Sequence, residues 1–379
     1  MTATSARSLR SLDRDPTAPI RNLDWALLGL ALVLNAIGAA MIYSATKGSD
    51  AHVDTTYLGK EILFVLLSMG VLAVTALIRY DRIQRWAPAI YILTLLSLAG
   101  VLAVGSSRKG AQAWFAFGPL QLQPSEPAKV ALILVLAAYL SANRHRLDAP
   151  RLITALIIAG VPMGLILLQP DLGTVLVFAA LTLGLLTVAG LRLRYLVALA
   201  VLGAVGVGLV LNSGMLETYQ KDRLTVFITG GQKDAQGAAY NLEQSKIAIG
   251  LGGITGRGFG EGPQTQNDFV PEQQTDFIFT AVGEELGFIG GAAVLGLFLL
   301  LSLRTLRAAH LARDDFGTLI CVGVLIMIVF QAFQNVGMSM GIMPITGIPL
   351  PFVSYGGSSL LTTYAGIGLV LNVRMHRYR

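Results

Sequence analysis

Runs of about twenty apolar residues recur along this chain, separated by short polar breaks. About that many residues carry a helix across a bilayer. Ten segments meet the measure: 25–45, 60–78, 86–105, 126–141, 151–168, 173–190, 194–211, 278–303, 316–337 and 357–373. The fourth is short, and only Gln169-Pro170-Asp171-Leu172 separates the fifth from the sixth. The expected fold is all-α and polytopic, with ten transmembrane helices. Charge supports this: 13% of residues are charged and 54% hydrophobic, whereas a soluble domain carries about 25% charged residues.

Arginine placement sets the expected orientation. With the N-terminus inside, 18 of the 28 Lys and Arg residues fall on cytoplasmic segments beside helix ends. They include Arg79, Arg82 and Arg85 after the second span and Arg304, Arg307 and Arg313 after the eighth. That is the positive-inside bias, and it predicts both termini in the cytoplasm. The high isoelectric point is therefore read as topology, and no nucleic-acid partner is expected. Residues 1–22 are polar and basic, without the apolar core of a removable signal peptide, and read as a cytoplasmic tail. Residues 23–379 form one transmembrane domain. One cysteine, Cys321, excludes an internal disulfide, and four scattered histidines leave no His/Cys metal cluster.

Two outer segments stand apart. Residues 212–277 make a long loop between spans seven and eight, rich in glycine and mixed charge. Within it Tyr240–Leu251 has one apolar side and suits an amphipathic helix in the interface. Residues 338–356, between spans nine and ten, are uncharged, apolar and broken by Pro344, Pro349 and Pro351. Apolar backbone that is not helical survives at membrane depth only inside protein or along a cavity. The expectation is a re-entrant segment that roofs or floors a cavity.

Asp276 stands where the long loop meets the eighth span, just before Phe277-Ile278-Phe279. A carboxylate at the edge of hydrocarbon is costly, which makes it a functional candidate. Helix capping by Thr275 or Asp276 explains it about equally well. If Asp276 is helical, Thr280, Gly283 and Gly287 share its face, suited to a cavity or a close helix contact. Glu284 and Glu285 point about 100° apart and cannot face one partner; a structural hydrogen bond is the preferred reading of Glu285. Glu126 and Lys129 share a face at the start of the fourth span. They read either as an anchoring ion pair or as an anion site in which Glu126 holds Lys129. Asp171, in QPDLGT, reads as a cap somewhat more readily than as a substrate contact. Arg108, Lys109, Lys221, Arg223, Lys233, Lys246 and Arg257 are outer cations; most read as solvated, and some could surround a diphosphate. Trp114 suits an interfacial anchor. The glycine run 250–262 lacks the strand and helix of a dinucleotide loop, so a close backbone turn explains it better.

Taken together, LDWALLGLALVLNAIGAAMIYSAT, QPSEPAKVALIL, LQPDLGT, QSKIAIGLGGITGRGFGEG, FVPEQQTDFIF, GEELGFIGG and PITGIPLPFVSYGGSS are similar to one family. They resemble the shape, elongation, division and sporulation (SEDS) family from about Leu23 to the C-terminus. The wording around FVPEQQTDFIF leans towards its elongation members over its division members. The resemblance implies a ten-span peptidoglycan glycosyltransferase that uses lipid II and works with a class B penicillin-binding protein, a transpeptidase. It implies that Asp276 is the essential acid and that Trp114, Glu126, Lys129 and Asp171 face the outer cavity. Family members often carry His where this chain has Gln274, which leaves the acid/base work to Asp276.

The implied reaction joins two lipid-linked disaccharide-peptides at the outer face of the bacterial cytoplasmic membrane. It needs a base at a sugar hydroxyl and positive charge at a diphosphate. Lys129 and loop cations, with Lys246 and Arg108 among the substrate-binding candidates, could supply that charge. A divalent ion, magnesium or manganese, could do the same. A lipid II flippase and a scaffold for the transpeptidase are the competing expectations. The outer placement of the polar candidates favours the enzyme, since a flippase needs access from both leaflets.

Overall fold

The computed structural model describes residues 22–47, 55–108, 111–117, 120–144, 147–212, 223, 226–227 and 237–378. The tail 1–21, Lys109, Lys221, Lys233 and most of 213–236 lie outside the described residues. The chain is mostly helical. Seven helices come first: α1 Trp25–Ala45, α2 Thr55–Leu77, α3 Tyr80–Val104, α4 Ser125–Asn143, α5 Ala149–Leu167, α6 Leu172–Val188 and α7 Leu193–Asn212. Then follow α8 Ala238–Gly252, the short α9 Pro263–Gln266, α10 Ile278–Glu285, α11 Gly287–His310, α12 Asp315–Met340 and α13 Gly357–Met375. Each of the ten predicted segments overlaps a helix or, for 278–303, the α10–α11 pair. Among the described residues seven helices are long and apolar enough to cross a membrane by length and composition: α1 to α5, α11 and α12. The core lies around α4 and α12, both largely enclosed, and α2 packs along α13.

The all-α expectation needs one correction. Strands β1 Ser106–Arg108, β2 Ala111–Phe117 and β3 Leu120–Leu122 form a small antiparallel sheet in the order β1-β2-β3. Arg108 pairs with Ala111, and Phe117 with Leu120. Only Lys109-Gly110 and Gly118-Pro119 separate the strands in sequence. Two-residue connections containing glycine around an aromatic-rich run are a hairpin signal. Reading the chain by apolar runs alone passes over it, because β2 is too short and too mixed to register.

Helices at the arginine-rich end are tied by charge. Asp24 caps α1 by accepting from the Leu27 N–H at 3.2 Å, pairs with Arg374 of α13, and lies 3.9 Å from Arg304 of α11. Asp314 caps α12 through the Gly317 N–H at 2.9 Å and accepts from the Tyr80 hydroxyl at the start of α3.

The eighth apolar segment is not one helix. α10 ends at Glu285, and Gly287 adopts φ +67° before α11 continues. A break in a helix leaves carbonyls and amides without partners. The glycine run 250–262 supplies them. Arg257 and Gly258 N–H donate to the Glu284 and Glu285 carbonyls at 2.9 and 3.1 Å. In return Phe288 and Ile289 N–H donate to Gly253 and Ile254 oxygens at 2.9 and 3.1 Å. The run is thus a close backbone turn, as its sequence suggests. Its glycines are needed because a Cβ on Gly252 would stand 1.9 Å from the Gly283 oxygen. Gly252→Ala is expected to lower stability by about 1–3 kcal/mol through overpacking. Gly250→Ala, with nothing within 4 Å of its added methyl, is expected to leave stability unchanged; thermal unfolding in detergent checks both.

The amphipathic segment 240–251 falls within α8, which packs against α10 and α12. Ala239, Leu242, Ser245 and Ala248 form its buried side. Ser245 donates to the Ser339 oxygen at 2.6 Å and fixes α8 to the end of α12.

Candidate functional site

The proline-rich segment after α12 organises the site. Its first residues are helical to Met340, and Gly341 at φ +77° ends the helix. From there to Gly356 the backbone is irregular, yet Ile345, Ile348, Leu350, Phe352 and Val353 are buried. Irregular buried backbone needs partners for its carbonyls, and three amide side chains from within helices provide them. Asn35 of α1 donates to the Phe352 oxygen at 3.0 Å. Gln334 of α12 donates to the Pro344 oxygen at 2.9 Å and to the Thr346 hydroxyl at 3.1 Å. Asn335 donates to the Ile348 oxygen at 2.8 Å and to the Asp276 oxygen at 2.7 Å. Phe352 is held at φ +65°, where a bulky side chain is rare. These amides were passed over in the sequence. A polar residue inside an apolar run was the available signal.

Asp276 lies in a turn over 271–276 and is half-buried. It lies before the helix, not in it: α10 starts at Ile278, where the eighth apolar segment begins, and Phe277 occupies the cap without a side-chain bond. The carboxylate is therefore not a helix cap. It faces Gly347, which adopts φ +71°. A Cβ built on Gly347 would lie 3.2 Å from Asp276 Oδ2 and 3.7 Å from Arg223 Nη1. A carboxylate and a guanidinium thus both approach one glycine, although the three neighbours are 53 and 71 positions apart in turn along the sequence. Tyr355 N–H donates to the Gln274 oxygen at 2.9 Å and ties the same turn to the proline-rich segment.

The turn is braced from behind. Gln273 donates to the hydroxyls of Thr265 and Thr280 at 3.0 and 2.9 Å. Glu284 accepts from Gln264 N–H, Thr265 N–H and the Thr265 hydroxyl at 2.8, 2.9 and 2.6 Å. Glu285 accepts instead from the Ser44 hydroxyl of α1. The two adjacent acids face different partners, and both bonds are structural. The small face Thr280-Gly283 is a helix contact, with Gly283 against Ile249 of α8.

Asp171 caps α6, accepting from Thr174 N–H at 3.0 Å and the Thr174 hydroxyl at 2.7 Å. Its Oδ2 also accepts from Gln123 at 3.1 Å. The same helix start reaches the proline-rich segment, because a Cβ on Gly173 would touch the Thr346 oxygen at 2.7 Å. Asp171 and Asp276 therefore flank one stretch, Thr346 to Ile348. Lys129 and Glu126 pair at 2.7 Å and are almost fully buried at the start of α4. Among the described residues Glu126 Oε2 has no hydrogen-bond partner. Gln123 N–H donates to the Ser358 hydroxyl at 3.1 Å, joining this helix start to α13.

Trp114 is half-buried on β2, where its oxygen accepts from the Ser106 hydroxyl at 3.1 Å. The sheet is fastened to α13 by the Ser358 hydroxyl, which donates to the Gln121 oxygen at 3.2 Å. Arg108 closes β1. Lys246 is exposed and lies along the end of α12, with Nζ 2.9 Å from where a Gly341 Cβ would be. A cation there also suits the negative end of a helix. Among the described residues no three His, Cys, Asp or Glu side chains gather to hold a metal ion.

Asn335→Ala removes two donors from buried carbonyls. It is expected to cost about 1–3 kcal/mol and to lower activity more than this loss of folded protein explains. Comparing thermal unfolding with turnover per folded molecule checks it.

Fold and site together define a multi-pass helical membrane protein that sets an acid and a cation on a buried, irregular segment. The family model for cell cycle proteins of the FtsW, RodA and SpoVE type matches residues 24–379, and the chain belongs to that family. Peptidoglycan glycosyltransferase MrdB of Escherichia coli (strain K12) is 36% identical over 356 residues, 94% of each chain. Probable peptidoglycan glycosyltransferase FtsW of Trichlorobacter lovleyi is 35% identical over 360 residues, 92% of each. Among solved structures, rod shape determining protein RodA of Thermus thermophilus aligns with TM-score 0.72 at 32% identity, covering 94% of this chain and 98% of that one. A chain of a peptidoglycan synthase complex aligns with TM-score 0.80 at 32% identity, covering 94% and 99%.

Proposed function

We propose that this chain polymerises lipid II into β-1,4-linked glycan at the outer face of the cytoplasmic membrane, releasing undecaprenyl diphosphate. The enzyme class follows from family membership: the chain is a peptidoglycan glycosyltransferase. The observation that carries the finer reading is Asp276 facing Gly347 beside Arg223. Asp276 takes the proton from the acceptor's GlcNAc 4-hydroxyl as that oxygen attacks the anomeric carbon of the donor MurNAc. The bond to the diphosphate breaks as the glycosidic bond forms. An α-linked donor gives a β-linked product by inversion, so one displacement suffices. Arg223 offsets charge on the departing diphosphate. Trp114, Arg108, Glu126, Lys129, Asp171 and Lys246 serve the two lipid-linked substrates.

This reading takes ten spans with both termini in the cytoplasm and the 276–347 site outside. The arginine bias supports that orientation. A class B penicillin-binding protein is the assigned partner, supported by likeness to a chain from a complex that coordinates polymerization and crosslinking. The elongation role is supported by MrdB and RodA among the relatives. In cells lacking the elongation polymerase this chain is expected to restore rod shape; restoring septation instead would assign it to division.

The direct test incubates purified chain, with and without the partner, with labelled lipid II. Muramidase-sensitive polymer is the expected product. No polymer even with the partner, together with movement of labelled lipid across liposomes, would replace the enzyme by a flippase.

A further inference from the structure

A groove of about 640 Å³ runs along the bundle between α2, α3, α4 and α13. It arises because α2 and α3, joined only by Ile78 and Arg79, splay apart: α2 packs chiefly on α13 and α3 on α4. One stripe of α3 lines it, Arg82, Trp86, Ile90 and Thr94, at successive i+4 positions. Twelve residues of helix span about 18 Å, a little more than half of the roughly 30 Å hydrocarbon core. Apart from Arg82 and four hydroxyl side chains, the walls are apolar. Water has too few partners in such a trough, and leaving it empty forfeits packing.

Arg82 marks one end. It is exposed at the groove mouth, and among the described residues it makes no ion pair; Asp81 beside it lies 3.7 Å from Arg313 instead. Arg79 and Arg85 flank it, and one turn further along α3 Trp86 is 62% exposed, a side chain of the type that anchors at membrane interfaces. An apolar slot the length of one leaflet, with a cation at its mouth, is complementary to a fatty chain bearing a phosphate.

We propose that the groove binds one acyl chain of an anionic glycerophospholipid from the leaflet on the arginine-rich side, its phosphate on Arg82. The lipid completes the wall between α2 and α3 and holds the splayed hairpin in place. The leaflet assignment rests on the orientation proposed above; the binding itself is independent of the catalytic reading.

The test reconstitutes the full chain in nanodiscs of equal phosphatidylglycerol and phosphatidylcholine, then measures retained lipid by native mass spectrometry. Wild type is expected to keep one phosphatidylglycerol in preference to phosphatidylcholine. Arg82→Glu is expected to lower that retention about 25-fold, since each cation near an anionic headgroup is worth roughly fivefold and reversal applies that factor twice. Ala365→Phe, on the half-buried α13 wall, narrows the slot and is expected to lower retention of both lipids. Arg307→Glu, at the last turn of α11, and Asp276→Asn are expected to retain lipid as wild type does. Equal phosphatidylglycerol retention in Arg82→Glu overturns the headgroup assignment. Unchanged retention in Ala365→Phe, or a polyprenyl lipid as the retained species, overturns the groove assignment. Thermal unfolding of each variant in detergent separates loss of lipid from loss of fold.

Discussion

Asp276→Asn is expected to lower polymer formation from labelled lipid II by about 10²–10⁴-fold, the usual worth of a general base, while leaving the protein folded. The substitution keeps the side chain's shape and removes its negative charge, and with it its ability to take a proton. Two backbone contacts help to place residue 276: its oxygen accepts from Asn335 at 2.7 Å, and its N–H donates to the Glu272 oxygen at 3.0 Å. Both survive the change. Gly347 sets how near another group can come, so Gly347→Ala should reach a similar loss by a different route. The added methyl would stand 3.2 Å from the carboxylate, on backbone at φ +71° that alanine adopts poorly. Wild-type polymer yield from a folded Asp276→Asn protein would remove this residue as the base.

Lys129→Met carries the second large effect, and it falls on stability. Removing one partner of a buried ion pair leaves the other charge stranded and costs about 3–5 kcal/mol. Here the stranded group is Glu126, whose Oε2 already lacks a partner among the described residues. Lys129→Met is therefore expected to unfold at markedly lower temperature in detergent. The double variant Glu126→Gln, Lys129→Met is expected to recover much of the loss, because no buried charge remains. Activity in the double variant separates the two readings of the pair. Recovered stability without recovered polymerisation assigns the Lys129 charge to the reaction; recovery of both makes the pair an anchor for α4.

Which features could be read in advance follows from how local their causes are. Asp276 could be singled out because an acid against a run of Phe and Ile is unusual in itself. The glycine run could be called a backbone turn because its composition allows little else. The sheet at 106–122 was written in two glycine-containing two-residue connections, a signal obscured by the apolar runs on either side. Arg223 stood among seven outer cations with nothing to set it apart, and Gly347 was one glycine in a proline-rich stretch. Their meeting with Asp276 joins three positions far apart in the chain, and no local pattern reports that distance. Glu284 and Glu285 show the same limit: helical geometry says they diverge, but their partners Thr265 and Ser44 come from elsewhere in the chain.

Sequence alone determined the membrane-helical class, the positions of the apolar segments and the candidate acid, because hydrocarbon imposes its demands residue by residue along a span. Tertiary structure decided that the eighth segment breaks, that the proline-rich stretch is carried on Asn35, Gln334 and Asn335, and that Asp276 looks at Gly347 and Arg223 rather than capping a helix. Those outcomes depend on which carbonyls and charges come within about 3 Å of one another, and only the packed bundle brings them there.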